Sequence, residues 1–253
     1  MEPLVKRAKD EKTGVALNVY QDDLGMDSPR DWDNLGTMVC FHRDYNLGDE
    51  HSYETPRDFL ENLAAELITD TELRYACLKA VENWEEELDE EEKDDLFDDL
   101  VDNGFIEEAT DEELWEIITD HAVILPLYLY DHSGITMKTK PFGCPWDSGQ
   151  VGWIYVTHDR ISKELTSDEE KADWQKAEDI LNQEIKTYDQ YITGEVFGFV
   201  LEKEDVCDNC KQQVQEHIDS LWGLYGYEDL EENLKIHLEE EYHYLIDQLE
   251  TVL

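Results

Sequence analysis

Apolar side chains between residues 55 and 120 recur every three to four positions, which is the spacing of amphipathic helices. The first predicted helix lies in TPRDFLENLAAEL, with Thr55 as N-cap and Pro56 at the first helical position, where its missing N–H costs nothing. A second is predicted in TELRYACLKAVENWEEEL, whose apolar residues form one stripe. A third is predicted in TDEELWEIITDHA, where Thr110 and Glu113 have the spacing of a capping box.

Other segments form short apolar runs or alternate apolar and polar residues, as strands do. Strands are predicted near residues 17–20 and at 37–42, 122–130, 135–139, 152–157 and 196–204. A helix is predicted over about 167–190, and the chain from Cys210 is predicted to be helical, with an apolar stripe from Leu230 to Leu249. The first twelve residues, which include four basic ones, are predicted to be a frayed and solvated end.

The grouping of strands, helices and strands again predicts an α+β fold. We expect one domain over residues 1–253, built on an antiparallel sheet of about five or six strands with packed helices. An acidic helical lobe is expected at about 55–120, and a helical C-terminal region at about 210–253.

The composition adds one dominant fact, a formal net charge of −45 that arises from 65 Asp and Glu against 20 Lys and Arg. The chain also has 7 Trp, 13 Tyr and 7 Phe, so it is expected to fold, unlike disordered acidic tails. A field of this sign repels nucleic acid and anionic membranes and attracts basic protein surfaces. No apolar run approaches the roughly 18 residues of a membrane span, and no signal-peptide core follows the start.

The acid is concentrated in residues 82–99, ENWEEELDEEEKDDLFDD, which hold twelve carboxylates and one lysine. As a helix this segment would span roughly 27 Å, or ~2.2 Å per carboxylate, close to the ~1.7 Å per phosphate along duplex DNA. The segment indicates either a solvated helix face or imitation of a polyanion, and we expect the second. The predicted partner-binding acids are Glu82, Glu85, Glu86, Glu87, Asp89, Glu90, Glu91, Glu92, Asp94, Asp95, Asp98, Asp99, Glu107, Glu108, Asp111, Glu112, Glu113 and Glu116.

Two other segments carry residues that are suited to chemistry. The segment 130–158 contains His132, Cys144, Asp147 and Ser148, but it has no nucleophile elbow and no Gly-rich phosphate loop. We interpret PFGCPWDSGQVGW as a structural turn whose two tryptophans pack into the core, and we expect no catalytic residue.

The cysteines do not indicate a metal centre. Cys207 and Cys210 form a single CxxC pair, whereas a structural zinc site needs four ligands. We expect a pair of thiols at a helix start, with no metal and no cofactor. An odd total of five cysteines favours a reducing, cytosolic compartment.

Three segments, WDNLGTMVCFHRDYNLGD, YDHSGITM and CPWDSGQVGWIYV, resemble a family of acidic proteins of bacteriophages and mobile elements. The resemblance implies a phage accessory protein in the cytoplasm of an infected bacterium. By analogy with DNA-mimicking antirestriction and anti-CRISPR proteins, we expect an inhibitor of a defence nuclease. Its partner would be a basic DNA-binding protein of the host, without direct contact to nucleic acid or membrane, and a homodimer stays open. The alternatives are an enzyme or zinc protein that uses the 130–158 hairpin, and an anti-defence interaction protein that does not imitate DNA.

Overall fold

The computed structural model of the protein describes residues 3–22, 27–82, 89–165, 173–206 and 212–252. Within these ranges the α+β fold is confirmed. The strands form two antiparallel sheets, of five and four strands, where the sequence led us to expect one sheet of about five or six. The difference arises because alternation along a strand shows which face is buried, but not which strands pair with each other.

The five-stranded sheet joins the two ends of the described chain. In spatial order its strands are β8 (Gln213–Tyr225), β7 (Val196–Val206), β2 (Val15–Gln21), β1 (Leu4–Lys9) and β9 (Glu250–Thr251). The predicted strands near 17–20 and at 196–204 are confirmed as β2 and β7.

The N-terminal segment is strand β1, so the prediction of a frayed, solvated end is wrong. Its basic side chains pair with acids from distant parts of the sequence. Lys6 contacts Glu231 at 3.3 Å, while Arg7 and Lys9 contact Glu204 at 2.6 and 2.9 Å. These ion pairs, together with the ladder to β2, hold the segment in the sheet.

The start of the C-terminal region is strand β8, so the prediction that 210–253 is helical is wrong over these residues. β8 pairs with β7, the strand that precedes it in the chain, but more than half of its side chains are exposed, so its sequence lacks the apolar alternation that indicates a strand. Helices follow as α8 (Leu230–His237), a 3₁₀ turn (Glu240–Tyr242) and α9 (His243–Ile246). The predicted apolar stripe does face the core of the five-stranded sheet, through the buried side chains of Leu230, Leu234, Leu238 and Leu245.

The four-stranded sheet contains the remaining predicted strands. Its spatial order is β3 (Thr37–Cys40), β6 (Ser148–Thr157), β4 (Ala122–Asp131) and β5 (Ile135–Lys138). Helices cover both faces. Successive residues of β3 show this alternation, because Met38 packs in one buried cluster and Val39 in another.

The helices of the acidic helical lobe are α1 (Pro56–Leu67), α2 (Asp70–Glu82), α3 (Glu90–Asp99), α4 (Phe105–Glu108) and α5 (Asp111–His121). A π-helical turn (Leu100–Gly104) connects α3 to α4. α6 (His158–Glu164) and α7 (Trp174–Ile192) follow the four-stranded sheet, and a 3₁₀ turn (Pro29–Asp31) precedes it. The predicted N-caps are confirmed, since the Thr55 hydroxyl accepts from the Asp58 N–H and Thr110 forms a capping box with Glu113.

α1 and α5 pack together on one face of the four-stranded sheet, and α7 packs on the other. α2, α3 and α4 meet around a smaller cluster formed by Cys77, Val81, Leu100 and Phe105. The acidic helices are therefore anchored to the fold by apolar contacts. Within the described ranges, no helix combines the length and the apolar character that crossing a membrane requires.

Candidate functional site

The acidic side chains of α2 to α5 lie on the outside of the molecule. Every candidate acid whose side chain is described is exposed: Glu82, Asp89, Glu91, Glu92, Asp94, Asp95, Asp98, Asp99, Glu107, Glu108, Asp111, Glu112, Glu113 and Glu116. Glu85, Glu86 and Glu87 lie outside the described residues, as does the side chain of Glu90.

Helix α3 separates its acidic and apolar residues onto different faces. Leu96 and Phe97 pack against the cluster around Cys77, while Asp94, Asp95 and Asp98 on the same two turns are exposed. The sequence produces this separation because the helical repeat places the apolar residues on one face of the helix and the acids on the other. Packing therefore fixes the backbone that carries the carboxylates, and they belong to an ordered surface.

Some of the acids have a structural role at helix starts. The Asp89 side chain accepts from the Glu92 N–H at 2.9 Å, and the Glu92 carboxylate accepts from the Asp89 N–H at 2.9 Å. Glu113 accepts from the backbone N–H and the hydroxyl of Thr110, both at 2.8 Å, and these hydrogen bonds lower the pKa of its carboxyl group. Carboxylates at these positions also interact favourably with the helix dipole.

Arg57 ties another of the acids to the scaffold. Its guanidinium contacts Glu61 on α1 at 2.6 Å, the Asp111 carboxylate and the Ala109 carbonyl oxygen at the start of α5. The hydrogen bonds to Glu61 and Asp111 raise the pKa of Arg57. Asp111 therefore helps to fix α5 against α1, and its charge is partly neutralised.

The three segments that carry the family resemblance, residues 32–49, 130–137 and 144–156, are here called the signature segments, and they meet at one end of the four-stranded sheet. The Tyr45 hydroxyl donates to Asp131 at 3.4 Å, and the Asp131 N–H donates to the Asp147 carbonyl oxygen at 2.8 Å. Sequence spacing alone did not place these three segments together. They meet because β4 and β6 are paired and the loop after β3 lies beside them.

The side chains in this region form a hydrogen-bonded turn. Asp147 Oδ2 lies 3.4 Å from Cys144 Sγ and 3.6 Å from His132 Nδ1, so the carboxylate stands between the thiol and the imidazole. The Ser148 hydroxyl donates to the Cys144 carbonyl oxygen at 2.5 Å. The thiol donates to the Asp147 carboxylate and the hydroxyl to a backbone carbonyl oxygen, so neither of these hydrogen bonds runs to the His132 imidazole.

The two tryptophans of this loop have different environments. Trp153 packs on Phe59, with ring centroids 5.5 Å apart, as predicted. Trp146 is 91% exposed, so the prediction that it packs into the core is wrong. Trp146 lies in the bend that precedes β6, and the presence of an aromatic residue in such a segment does not show whether its ring faces the core or the solvent.

Metal ligands do not cluster in the described part of the chain, where no group of three or more His, Cys, Asp or Glu could hold a metal ion. Cys207 and Cys210 lie outside the described residues. No family model matches the chain, and neither the curated proteins nor the solved structures contain a significant match.

The sequence did not single out two exposed residues of α2, Tyr75 and Leu78. Both are large and apolar, yet they lie off the stripe formed by Leu73, Cys77 and Val81. Their position off the apolar stripe, seen on a helical wheel, is the sequence feature that could have identified them. Of the two, Tyr75 lines a groove between α2 and α5.

Proposed function

We propose that this protein is a phage-encoded inhibitor of a host-defence nuclease, of restriction or CRISPR type, which acts as an acidic mimic of DNA. The observation that carries the proposal is the exposure of the acids on α3 to α5, on helices that apolar residues anchor to the fold. Fixed carboxylates present negative charge without first ordering a flexible chain, which lowers the entropy lost on binding.

The mechanism is competition for cationic side chains. Lys and Arg residues that hold phosphates in a DNA-binding groove would instead pair with carboxylates of the acidic helical lobe. Because the chain carries a net charge of −45, its long-range field would accelerate encounter with a basic surface. The phage origin and the setting in the host cytoplasm rest on the resemblance of the three signature segments.

The test is a charge reversal with a matched control. The first variant changes Asp94, Asp95, Asp98 and Asp99 of α3 to Lys, and the control changes Glu232, Glu239, Glu240 and Glu241 to Lys. All eight side chains are exposed, so both variants alter the net charge equally and disturb no core contact.

Both variants are assayed for inhibition of DNA binding and cleavage by purified restriction and CRISPR nucleases over a range of salt concentrations. We expect the α3 variant to lose inhibition and to show a weaker dependence on salt, while the control keeps both. Equal inhibition by the two variants, with the same salt slope, would contradict mimicry by this surface.

A further inference from the structure

A groove between α2 and α5 crosses the acidic helical lobe and has an apolar floor. Its volume is about 380 Å³. Ala76 and Ala80, one turn apart on α2, form the floor together with Phe105 and Ile117. Because the two alanines are small, the groove has room for a long side chain from another molecule.

Carboxylates line the walls of this groove on both helices. Glu72 belongs to α2, and Glu113, Glu116 and Asp120 belong to α5. Two of these are already engaged, since Glu72 lies 3.2 Å from His121 Nε2 and Glu113 caps α5. Within the described ranges, no Lys or Arg forms an ion pair with Glu116 or Asp120. Asp120 interacts with His158, and both carboxylates are exposed, so a cation from outside can reach them.

An exposed aromatic ring accompanies the carboxylates, since Tyr75 lines the groove and is 71% exposed. An aromatic ring next to carboxylates attracts an organic cation, because the ring face and the carboxylates both interact favourably with positive charge. Lys79 is the single Lys or Arg among the lining residues.

We propose that this groove receives an arginine side chain of the basic protein partner. The proposal rests on the proposed function and names the chemistry by which that partner is recognised. The aliphatic stem would lie on Ala76 and Ala80, and the guanidinium would stack on Tyr75 while donating to Glu116 and Asp120. Lysine fits less well, because its ammonium group is compact, strongly hydrated and unable to stack or to form two parallel hydrogen bonds.

The test fills the groove without changing any charge. The variant Ala76→Leu/Ala80→Leu places two larger side chains on the floor. The matched control is Ala65→Leu, on the neighbouring groove lined by Asp58, Glu61 and Asn62. The probes are fluorescently labelled hexa-arginine and hexa-lysine peptides, and affinity is measured by anisotropy at about 0.15 M salt. Circular dichroism confirms that each variant is folded.

We expect the wild-type protein to bind hexa-arginine more tightly than hexa-lysine. Filling the groove should weaken hexa-arginine binding about tenfold and remove the preference, while Ala65→Leu changes neither. In the wild type, the methyl signals of Ala76 and Ala80 should shift in NMR spectra on titration with hexa-arginine. Unchanged affinity in the groove variant, or no preference for arginine in the wild type, would overturn the proposal.

This experiment separates the groove from the wider mimicry. Suppose the groove variant binds hexa-arginine normally, while the lysine variant of α3 no longer inhibits the nucleases. The groove proposal then fails and the proposed function stands. If instead the α3 variant inhibits like the wild type, and the groove variant has lost hexa-arginine binding, the groove is a cation site and the mimicry by α3 is wrong.

Discussion

Removal of the Arg30 guanidinium is predicted to destabilise the fold strongly, because this group joins three parts of the chain. Its side chain is 4% exposed. Nε and Nη2 contact the two oxygens of Asp49 at 2.8 and 2.9 Å, and Nη1 contacts Glu184 on α7 at 3.1 Å. Nη2 also donates to the Gly36 carbonyl oxygen at 2.6 Å, and Asp49 accepts from the Met38 N–H at 2.8 Å.

The magnitude follows from what Arg30→Ala would leave behind. Burial lowers the pKa of the guanidinium, but the hydrogen bond and charge of Asp49, followed by those of Glu184, leave the pKa raised, so Arg30 stays charged. Without it, two carboxylates whose side chains are 25% and 11% exposed would lose their cation. Breaking a buried ion pair from one side costs about 3–5 kcal/mol. Since Asp49 keeps some contact with water, we expect the lower end, about 3 kcal/mol.

The measurement is the free energy of unfolding in urea, followed by circular dichroism. The control is Arg43→Ala, which makes the same change in net charge at a side chain that is 89% exposed and forms an ion pair with the adjacent Asp44. That control should change stability by no more than about 0.5 kcal/mol. Combining Arg30→Met with Asp49→Asn and Glu184→Gln should recover much of the loss, because no unpaired charge remains. Equal losses in Arg30→Ala and Arg43→Ala would refute this reasoning.

Two further predictions concern the signature segment after β5 and the contact between α5 and α6. A Cβ at Gly152 would lie 1.9 Å from the Val39 carbonyl oxygen, so Gly152→Ala should destabilise the protein by about 1–3 kcal/mol, measured in a thermal melt. The control is Gly149→Ala, which should not destabilise it because no atom lies within 4 Å of the added Cβ. The pKa of His158 is lowered from 6.5, first by burial and then by His121, so NMR titration should give a value below 6.5 that rises in His121→Gln. Because the folded-state pKa is below the unfolded one, the stabilisation is full above pH 6.5 and is lost as pH falls through the folded value. A pKa of His158 that does not respond to His121→Gln would contradict the assigned cause.

The parts of the fold that sequence predicted are those that local physics determines. The caps at Thr55 and Thr110 need only a side chain and the N–H three residues later, so their spacing is sufficient evidence. The exposure of the α3 acids follows in the same way from the helical repeat. The individual strands of the four-stranded sheet were also predicted, because they are rich in apolar residues.

The parts that sequence missed lack a local apolar pattern or depend on contacts between elements. β1 is rich in basic residues, and its pairing with β2 and its ion pairs with Glu204 and Glu231 are visible only in the folded chain. β8 is the next strand after β7 and pairs with it, but more than half of its side chains are exposed, so its sequence shows no regular apolar alternation. The groove on the candidate surface was missed for a related reason, since Tyr75 and Asp120 approach each other only through the packing of α2 and α5.

The proposed binding role accounts for acids at positions that the helices themselves do not favour. Asp89 and Glu92 lie at a helix start, where carboxylates are favourable. From α3 the chain stays helical through the π-helical turn and into α4, which ends with Glu107 and Glu108. The last turn of α4 contains no basic residue. Carboxylates at such an end oppose the helix dipole, typically by about 0.3–1 kcal/mol each. Charge that works against the local structure is expected where a cationic partner, rather than the fold, provides the compensating interaction.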